Sequence, residues 1–572
     1  MEAILQAFET ADQTFSHVYI GILRYAAPLL ILIILFRGAK PLLTFRREPE
    51  IWAWLKMGKN RLAVTHWENV IGRSKQSDLV IDFPTVSRNH AVLTRYDDGS
   101  WTVSDAASKS GVFVNGRRKQ ICAVGEGDTI TVGGVDMELQ PISARQEAKL
   151  AELRTRAGTL IDGIANVLLL TVLQTMCALA FLLVDGGENG ADVILGFGGI
   201  MLCQWLLVLF YGLIHRGSFE LETIAFLLCT MGMAGIMTVD PGEAVKQLCA
   251  IALGLIAFLL VGWSLRNLER AKRFRYLAAA AGIGFLVVTL IFGQEYYGAK
   301  NWLSLGPLSV QPSEFSKVCF VYTGASTMDR IMNKRNLTLF IGYSAAMCGC
   351  LALMNDFGTA LIFFCAFLVI AFLRSGSVGT VALAIAALVF AGIVAIRIAP
   401  HALRRFATWR HIWENPLDGG YQQTRALMCM ASGGLFGLGP GKGWMENVFA
   451  ADSDMIFATL GEEWGLITVI MLVLCVAAIG IFAMRCAAVA RSSFYTIGAC
   501  TAAGILLVQV VLNALGTVDV VPLTGVTFPF LSNGGSSMVC AWGLLAFIKA
   551  ADTRQNASFA VRLTKKGVSE DE

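Results

Sequence analysis

Charge is what this sequence has least of. Only 15% of its 572 residues are Asp, Glu, Lys or Arg, against about 25% in an ordinary soluble domain. Hydrophobic residues make up 55%, and mean hydropathy is +0.61. The deficit excludes a wholly soluble chain and points to the membrane. The net charge of +4 is too small to indicate a nucleic-acid partner. Zinc-type spacing is missing among the 14 Cys, so no metal site is expected. Cys203, Cys229, Cys249, Cys319, Cys348, Cys350, Cys365 and Cys475 lie inside apolar runs. They are expected to be buried, inert thiols, because helix-buried cysteines rarely meet in disulfide geometry. The first twelve residues, MEAILQAFETAD, hold three acids and no basic side chain. A cleaved signal peptide would begin with positive charge, so none is expected.

What is present is a series of apolar blocks. A spanning helix needs about 20 mostly apolar residues. Such runs lie near 15–35, 163–184, 193–214, 222–239, 244–264, 275–293, 314–331, 336–354, 358–374, 377–397, 456–485, 493–517 and 534–550. The fold class is therefore a polytopic α-helical membrane protein with about thirteen spanning helices. The segment FRGAKPLLTFRR after the first run has four basic residues and no acid. This puts the N-terminus outside and residue 40 onward in the cytoplasm. Alternating the later helices places the basic loops 266–275, 329–336 and 485–493 inside. The acidic loops 185–192 and 239–243 fall outside, which agrees with the count. Residues 398–455 form an unusually long external loop with Gly-turn signals, expected to be functional.

Residues 61–142 break this pattern. LAVTHW, DLVID, HAVLTRY, WTVSD, GVFVNG, DTITVGG and VDMELQPI are short alternating runs, mostly separated by Gly, Asp, Asn or Pro. That is an antiparallel β-sandwich inserted between helices. Its loops carry VIGRSKQSDLVID (70–82), SRNHAVL (87–93) and SKSGVFVNG (108–116). In this order and spacing the three motifs resemble the forkhead-associated (FHA) domain, over about 50–142. The resemblance implies phosphothreonine binding by Arg73, Ser87, Arg88, Lys109, Ser110 and Asn115. A phosphate dianion needs a fixed guanidinium with hydroxyl or amide donors. Ser110 stands where the family usually has Asn, and His90 is expected to brace the loops. A spacer that no longer binds phosphopeptide is the alternative reading.

Five further motifs follow within the membrane part. They are GAKNWLSLGPLSVQPSEFSK (298–317), NDFGTA (355–360), GGYQQTRALMCMASGGLFGLGPGKG (419–443), DMIFATLGEEWG (454–465) and NALGTVDVVPLTGVTFPFLSNGGSS (513–537). Intramembrane charge costs about 2.5–3.5 kcal/mol per residue on insertion scales, so each one prompts a functional reading. Glu314 and Lys317, three apart, can pair on one helix face, as a structural ion pair or in a polar cavity. Asp356 suits a helix start as a cap or can face a cavity. Glu462 and Glu463 are expected to orient neighbouring helices.

Together these words resemble the SEDS family (shape, elongation, division and sporulation), whose members polymerise lipid II. The resemblance spans about 217–552 and implies a ten-helix core. The first helix and the pair over 158–216 lie outside that core. An anchor over 1–45 and a tail over 553–572 complete the expected organisation. The resemblance makes Asp454 the catalytic base, with a helix cap as the alternative. Lys300, Glu314, Lys317, Asp356, Arg405, Gln422 and Lys442 would contact substrate. Glycosyl transfer with inversion needs one carboxylate to take the acceptor proton, and the pyrophosphate leaving group needs cations. No cofactor is evident, and room is left for a divalent cation on the pyrophosphate. Two departures stand out. VFAADSD (448–454) replaces the family's Leu-Pro-Glu-x-His-Thr-Asp, and Asn533 replaces a Tyr.

The expected function is a peptidoglycan glycosyltransferase of the bacterial cell membrane, with Asp454 on the outer side. The resemblance implies a class B penicillin-binding protein as transpeptidase partner. The FHA domain implies a phosphothreonine protein of a Ser/Thr kinase pathway. The rivals are a lipid II flippase, since broken helices and buried charges also suit transport, and a membrane scaffold for phosphoproteins. A base on the external loop favours the enzyme.

Overall fold

The structure is a computed structural model. It describes residues 13–44, 51–75, 77–96, 99–143, 158–296, 299–306, 308–328, 334–375, 378–398, 400–490, 492–554 and 557–559. Most of the expected basic loop at 329–336, and the tail from 560 onward, lie outside the described residues.

Each expected apolar run is helical. The long helices are α1 (Gln13–Thr44), α2 (Leu160–Val184), α3 (Gly190–Leu213), α4 (Glu220–Val239), α5 (Ala244–Leu265) and α6 (Leu268–Phe292). After them come α7 (Pro312–Met328), α8 (Lys334–Leu353), α9 (Phe357–Ser375) and α10 (Val378–Ile398). Among the described residues, nine helices are long and apolar enough to cross a membrane. α4 is the central one, buried over most of its length. Aromatic packing closes the middle of the bundle. The Trp542 ring lies 5.2 Å from Phe226, 5.7 Å from Phe258 and 5.5 Å from Phe530, and Gly254 leaves room for it.

Three expectations need correction. The stretch 398–455 is folded rather than an open loop, with α11 (Pro400–Thr408) and α12 (Tyr421–Gly433) inside it. The single helix expected over 456–485 is two, α13 (Ile456–Glu463) and α14 (Gly465–Ala487). The break falls at Gly465, whose φ of 85° leaves the helical region, and the Leu435 carbonyl occupies the space a side chain would need. Cys249 is exposed on α5 rather than buried. The bundle ends with α15 (Ser493–Thr517) and α16 (Gly535–Ala550), joined by the Pro/Gly segment 518–534.

The insert is the expected sandwich. One sheet orders β2 (Asn60–Val64), β1 (Ala53–Met57), β11 (Val135–Pro141), β10 (Thr129–Val132), β7 (Val112–Val114) and β8 (Arg117–Lys119). The other orders β4 (Leu79–Val80), β3 (Glu68–Gly72), β5 (Ala91–Arg95), β6 (Trp101–Asp105) and β9 (Ile121–Val124). Among the described residues only β3 and β4 pair in parallel. Alternation drives Leu55, Ile71, Leu93, Val103, Ile130 and Leu139 into the core, all within 1% of full burial. A third, small sheet was not foreseen. β12 (Gln294–Tyr296), β13 (Ala299–Leu305) and β14 (Leu308–Val310) fold the segment before α7 into a meander.

Candidate phosphopeptide site and candidate active site

Three loops of the sandwich are stapled together. At the end of β3 a Cβ on Gly72 would strike the Arg88 carbonyl, so the two loops can touch only at glycine. Arg73 N donates to Ser87 O (3.0 Å) and Ser74 N to Arg88 O (3.1 Å). His90 is fully buried and braces the set as expected. Its Nδ1 accepts from Ser87 N, and its Nε2 reaches Gly111 O, both at 3.1 Å. Lys109 N donates to Ser87 Oγ at 3.1 Å, which ties in the third loop. Arg73, Arg88, Lys109 and Ser110 therefore stand exposed on adjoining, fixed loops, a cationic seat for a phosphate. Asn115 is different. Its amide donates to Asp128 Oδ1 (2.8 Å) and its oxygen accepts from Thr129 N (3.0 Å), so it fastens the β7–β8 turn.

In the membrane part, Asp454 lies on the loop entering α13, and that loop is held from three sides. Ala450 turns the chain with φ 59°, and Met455 N donates back to Ala450 O at 2.9 Å. Asn513 of α15 donates to Asp454 O (2.9 Å) and to Val526 O (2.8 Å). Ser532 Oγ donates to Ser453 O at 2.7 Å. The two departures from the family pattern meet here. Asn533 donates through its backbone to Asp452 O (2.8 Å) and through its side chain to Asp452 Oδ2 (2.7 Å). The Asp454 carboxylate faces Gly525, where an added Cβ would sit 3.2 Å from Oδ2. The Asp454 carboxyl is pushed up to about 6, chiefly by burial and opposed by Arg405, with Asp452 and Asp356 adding to the rise.

Asp356 fills its expected role as a cap. Oδ1 caps α9 by accepting from Thr359 N (3.0 Å), while Oδ2 faces Asn301 (3.3 Å) and Gln311 (3.4 Å). Glu314 and Lys317 pair at 2.7 Å and are 4% and 1% exposed. Other expected residues are taken up by structural contacts. Lys300 Nζ donates to Leu290 O at 2.8 Å and so caps α6. Gln422 braces the loop ahead of Asp454 by donating to Phe449 O at 2.9 Å. Lys442 reaches towards His17 on α1, at 3.5 Å.

Glu462 and Glu463 do more than orient helices: they anchor the Gly-rich loop 434–444. Glu462 Oε2 accepts from Trp444 N (3.0 Å) and Met445 N (2.8 Å), and Glu463 Oε1 accepts from Gly443 N (3.3 Å). Their own carbonyls accept from Leu438 N and Gly439 N, each at 2.9 Å. Asn301, Gln311 and Asn513 escaped the sequence reading. Asn513 carried a usable signal, an amide within the apolar run of α15, where a buried polar group needs partners.

A half-buried carboxyl raised towards neutrality, within the field of a guanidinium and near an amide cluster, makes this a candidate acid–base centre. The family of cell cycle proteins comprising FtsW, RodA and SpoVE matches residues 200–557, and the FHA domain family matches residues 69–133. The chain belongs to the FtsW/RodA/SpoVE family and carries an FHA domain. It is 30% identical over 325 residues to the peptidoglycan glycosyltransferase RodA of Mycobacterium tuberculosis H37Rv, covering 54% of this chain and 69% of the relative. It is 29% identical over 336 residues to the probable peptidoglycan glycosyltransferase FtsW of Escherichia coli O157:H7, covering 56% and 81%. A solved structure from work on polymerization and crosslinking by a peptidoglycan synthase complex shares the fold. Its TM-score is 0.50 at 24% identity, over 58% of this chain and 96% of that one.

Proposed function

We propose that the chain is a multi-pass membrane peptidoglycan glycosyltransferase that polymerises lipid II, with an FHA domain reading a phosphothreonine protein. The observation that carries this is Asp454, a carboxyl in the family motif on a loop pinned by Asn513, Ser532 and Asn533, and pushed up to about 6 chiefly by burial. In this reading Asp454 takes the proton of the acceptor hydroxyl as that oxygen attacks the anomeric carbon. The anomeric C–O bond to undecaprenyl pyrophosphate breaks with inversion. Arg405 stabilises the departing pyrophosphate. Among the described residues no group of three or more His, Cys, Asp or Glu side chains is placed to hold a metal ion. The transpeptidase partner is a class B penicillin-binding protein. Lipid II incubated with the purified chain and that partner should yield glycan polymer. Recovery of lipid II alone would reject the proposal.

In this reading the FHA domain faces the cytoplasm and α12 the exterior. Cysteines placed singly at Ser100 and Ser432, both exposed, test it in a background free of other reactive thiols. An impermeant thiol reagent on intact cells should label only the second. Labelling at Ser100 would reverse the topology.

Arg73→Ala should weaken phosphothreonine-peptide binding by about 1.5–3 kcal/mol, as expected for a lost charge-assisted hydrogen bond. Isothermal titration with matched phosphorylated and unphosphorylated peptides checks this. Equal affinity for the two would remove the phosphate-reading role.

A further inference from the structure

The Gly-rich loop 434–444 is held on one side by Glu462 and Glu463. Its other side rests on helices outside the ten-helix core. Phe436 packs its ring 5.0 Å from Tyr25 of α1. Gly439 sits at φ 110° over Ile20 of α1, where an added Cβ would come 2.5 Å from Ile20 Cγ2. Gly441 sits at φ 64° against Val184, the last residue of α2, with 2.7 Å left for a Cβ. Lys442 meets His17 of α1. The loop backbone therefore closes onto α1 and α2 at distances that only glycine permits.

From this loop the chain runs directly to Asp454. Met445, Val448, Ala451 and Met455 pack with Ala426, Cys429 and Ala458 in one small apolar cluster spanning α12 and α13. A shift of residues 436–442 is thus passed on to residues 445–455 by contiguous packing. The helices in question are also those that flank the FHA domain, α1 before it and α2 after it. They are fastened to each other near the FHA-proximal ends by Arg37 Nε to Asn166 Oδ1 (2.9 Å), and further along by Tyr19 OH to Met176 O (2.8 Å). The loop contacts fall at the opposite ends, at residues 17–25 and 184.

We infer that α1, through Ile20 and Tyr25, is a positioning element for the Asp454 loop. The inference rests on the glycosyltransferase reading above. Ile20 and Tyr25 touch no reacting atom; they act through the Gly-rich loop.

The test compares Ile20→Ala/Tyr25→Ala with the conservative pair Ile20→Val/Tyr25→Phe, in the full chain with its transpeptidase partner. The alanine pair should lower kcat for lipid II polymerisation about tenfold, with KM little changed, since a displaced base costs rate more than binding. The conservative pair should restore kcat to within about twofold of the unaltered chain. Tyr25 is 59% exposed, so Tyr25→Ala alone carries the same test if the double variant fails to fold. Unaltered kcat in folded alanine variants overturns the inference. A rise in KM alone does so too. If the unaltered chain makes no polymer, it is the glycosyltransferase reading that fails.

Discussion

Asp454→Asn is expected to lower glycan formation from lipid II by about 10²–10⁴-fold, the usual contribution of a general base. The variant keeps the size and polarity of the side chain. The loop is held by bonds from Asn513, Ser532 and Asn533 to groups other than the Asp454 carboxyl. It should therefore fold and insert normally. The pH profile supplies a second readout. A base must be deprotonated to act, and burial raises this carboxyl to about 6. Activity should rise with pH through about 6 and fall away below it. Asp452 adds to the upward push, so Asp452→Asn should move the acid limb to lower pH while leaving the plateau rate nearly intact. Because burial is the larger cause, that displacement is partial. Near-normal polymerisation by Asp454→Asn would remove it as the base and turn attention to Asp452 and Asp356.

Lys317→Met should destabilise the membrane domain by about 3–5 kcal/mol, because it strands a buried carboxylate. The pair is closed off from solvent, and Glu314 Oε2 has no hydrogen-bond partner among the described residues. A second substitution, Glu314→Gln, removes the stranded charge and should recover most of the stability. Polymerisation should stay low in the double variant. A buried ion pair is a poor source of net stability next to apolar residues of similar size, so its presence inside a membrane domain asks for a functional reason. Thermal unfolding and polymerisation measured on the same preparations separate the two roles. Recovery of both in the double variant would confine the pair to the fold.

The sequence was most legible where one local rule dominates. Apolar runs of spanning length marked each long helix, and two-residue alternation marked the sandwich. It was least legible where tertiary contacts decide. The break at Gly465 depends on the Leu435 carbonyl from a segment 30 residues earlier, which no local pattern records. The meander over 294–310 lay hidden inside a motif read for its chemistry. The site divides in the same way. Asp454 was legible through the family motif that it completes, and Asp356 as a charge at a helix start. The union of Asp452 with Asn533, 81 residues apart, was visible only as two separate departures from a family pattern. Lys300 and Lys442 looked like free cations in the sequence, yet one caps α6 and the other lies against α1.

The central claim is that this chain makes glycan and does not merely move its precursor. Reconstituted proteoliposomes holding lipid II, the unaltered chain and its transpeptidase partner test it directly, with polymer and lipid II translocation measured in the same vesicles. The account predicts muramidase-sensitive polymer from the unaltered chain and none from Asp454→Asn. Translocated lipid II with no polymer from the unaltered chain would contradict it and make the protein a transporter.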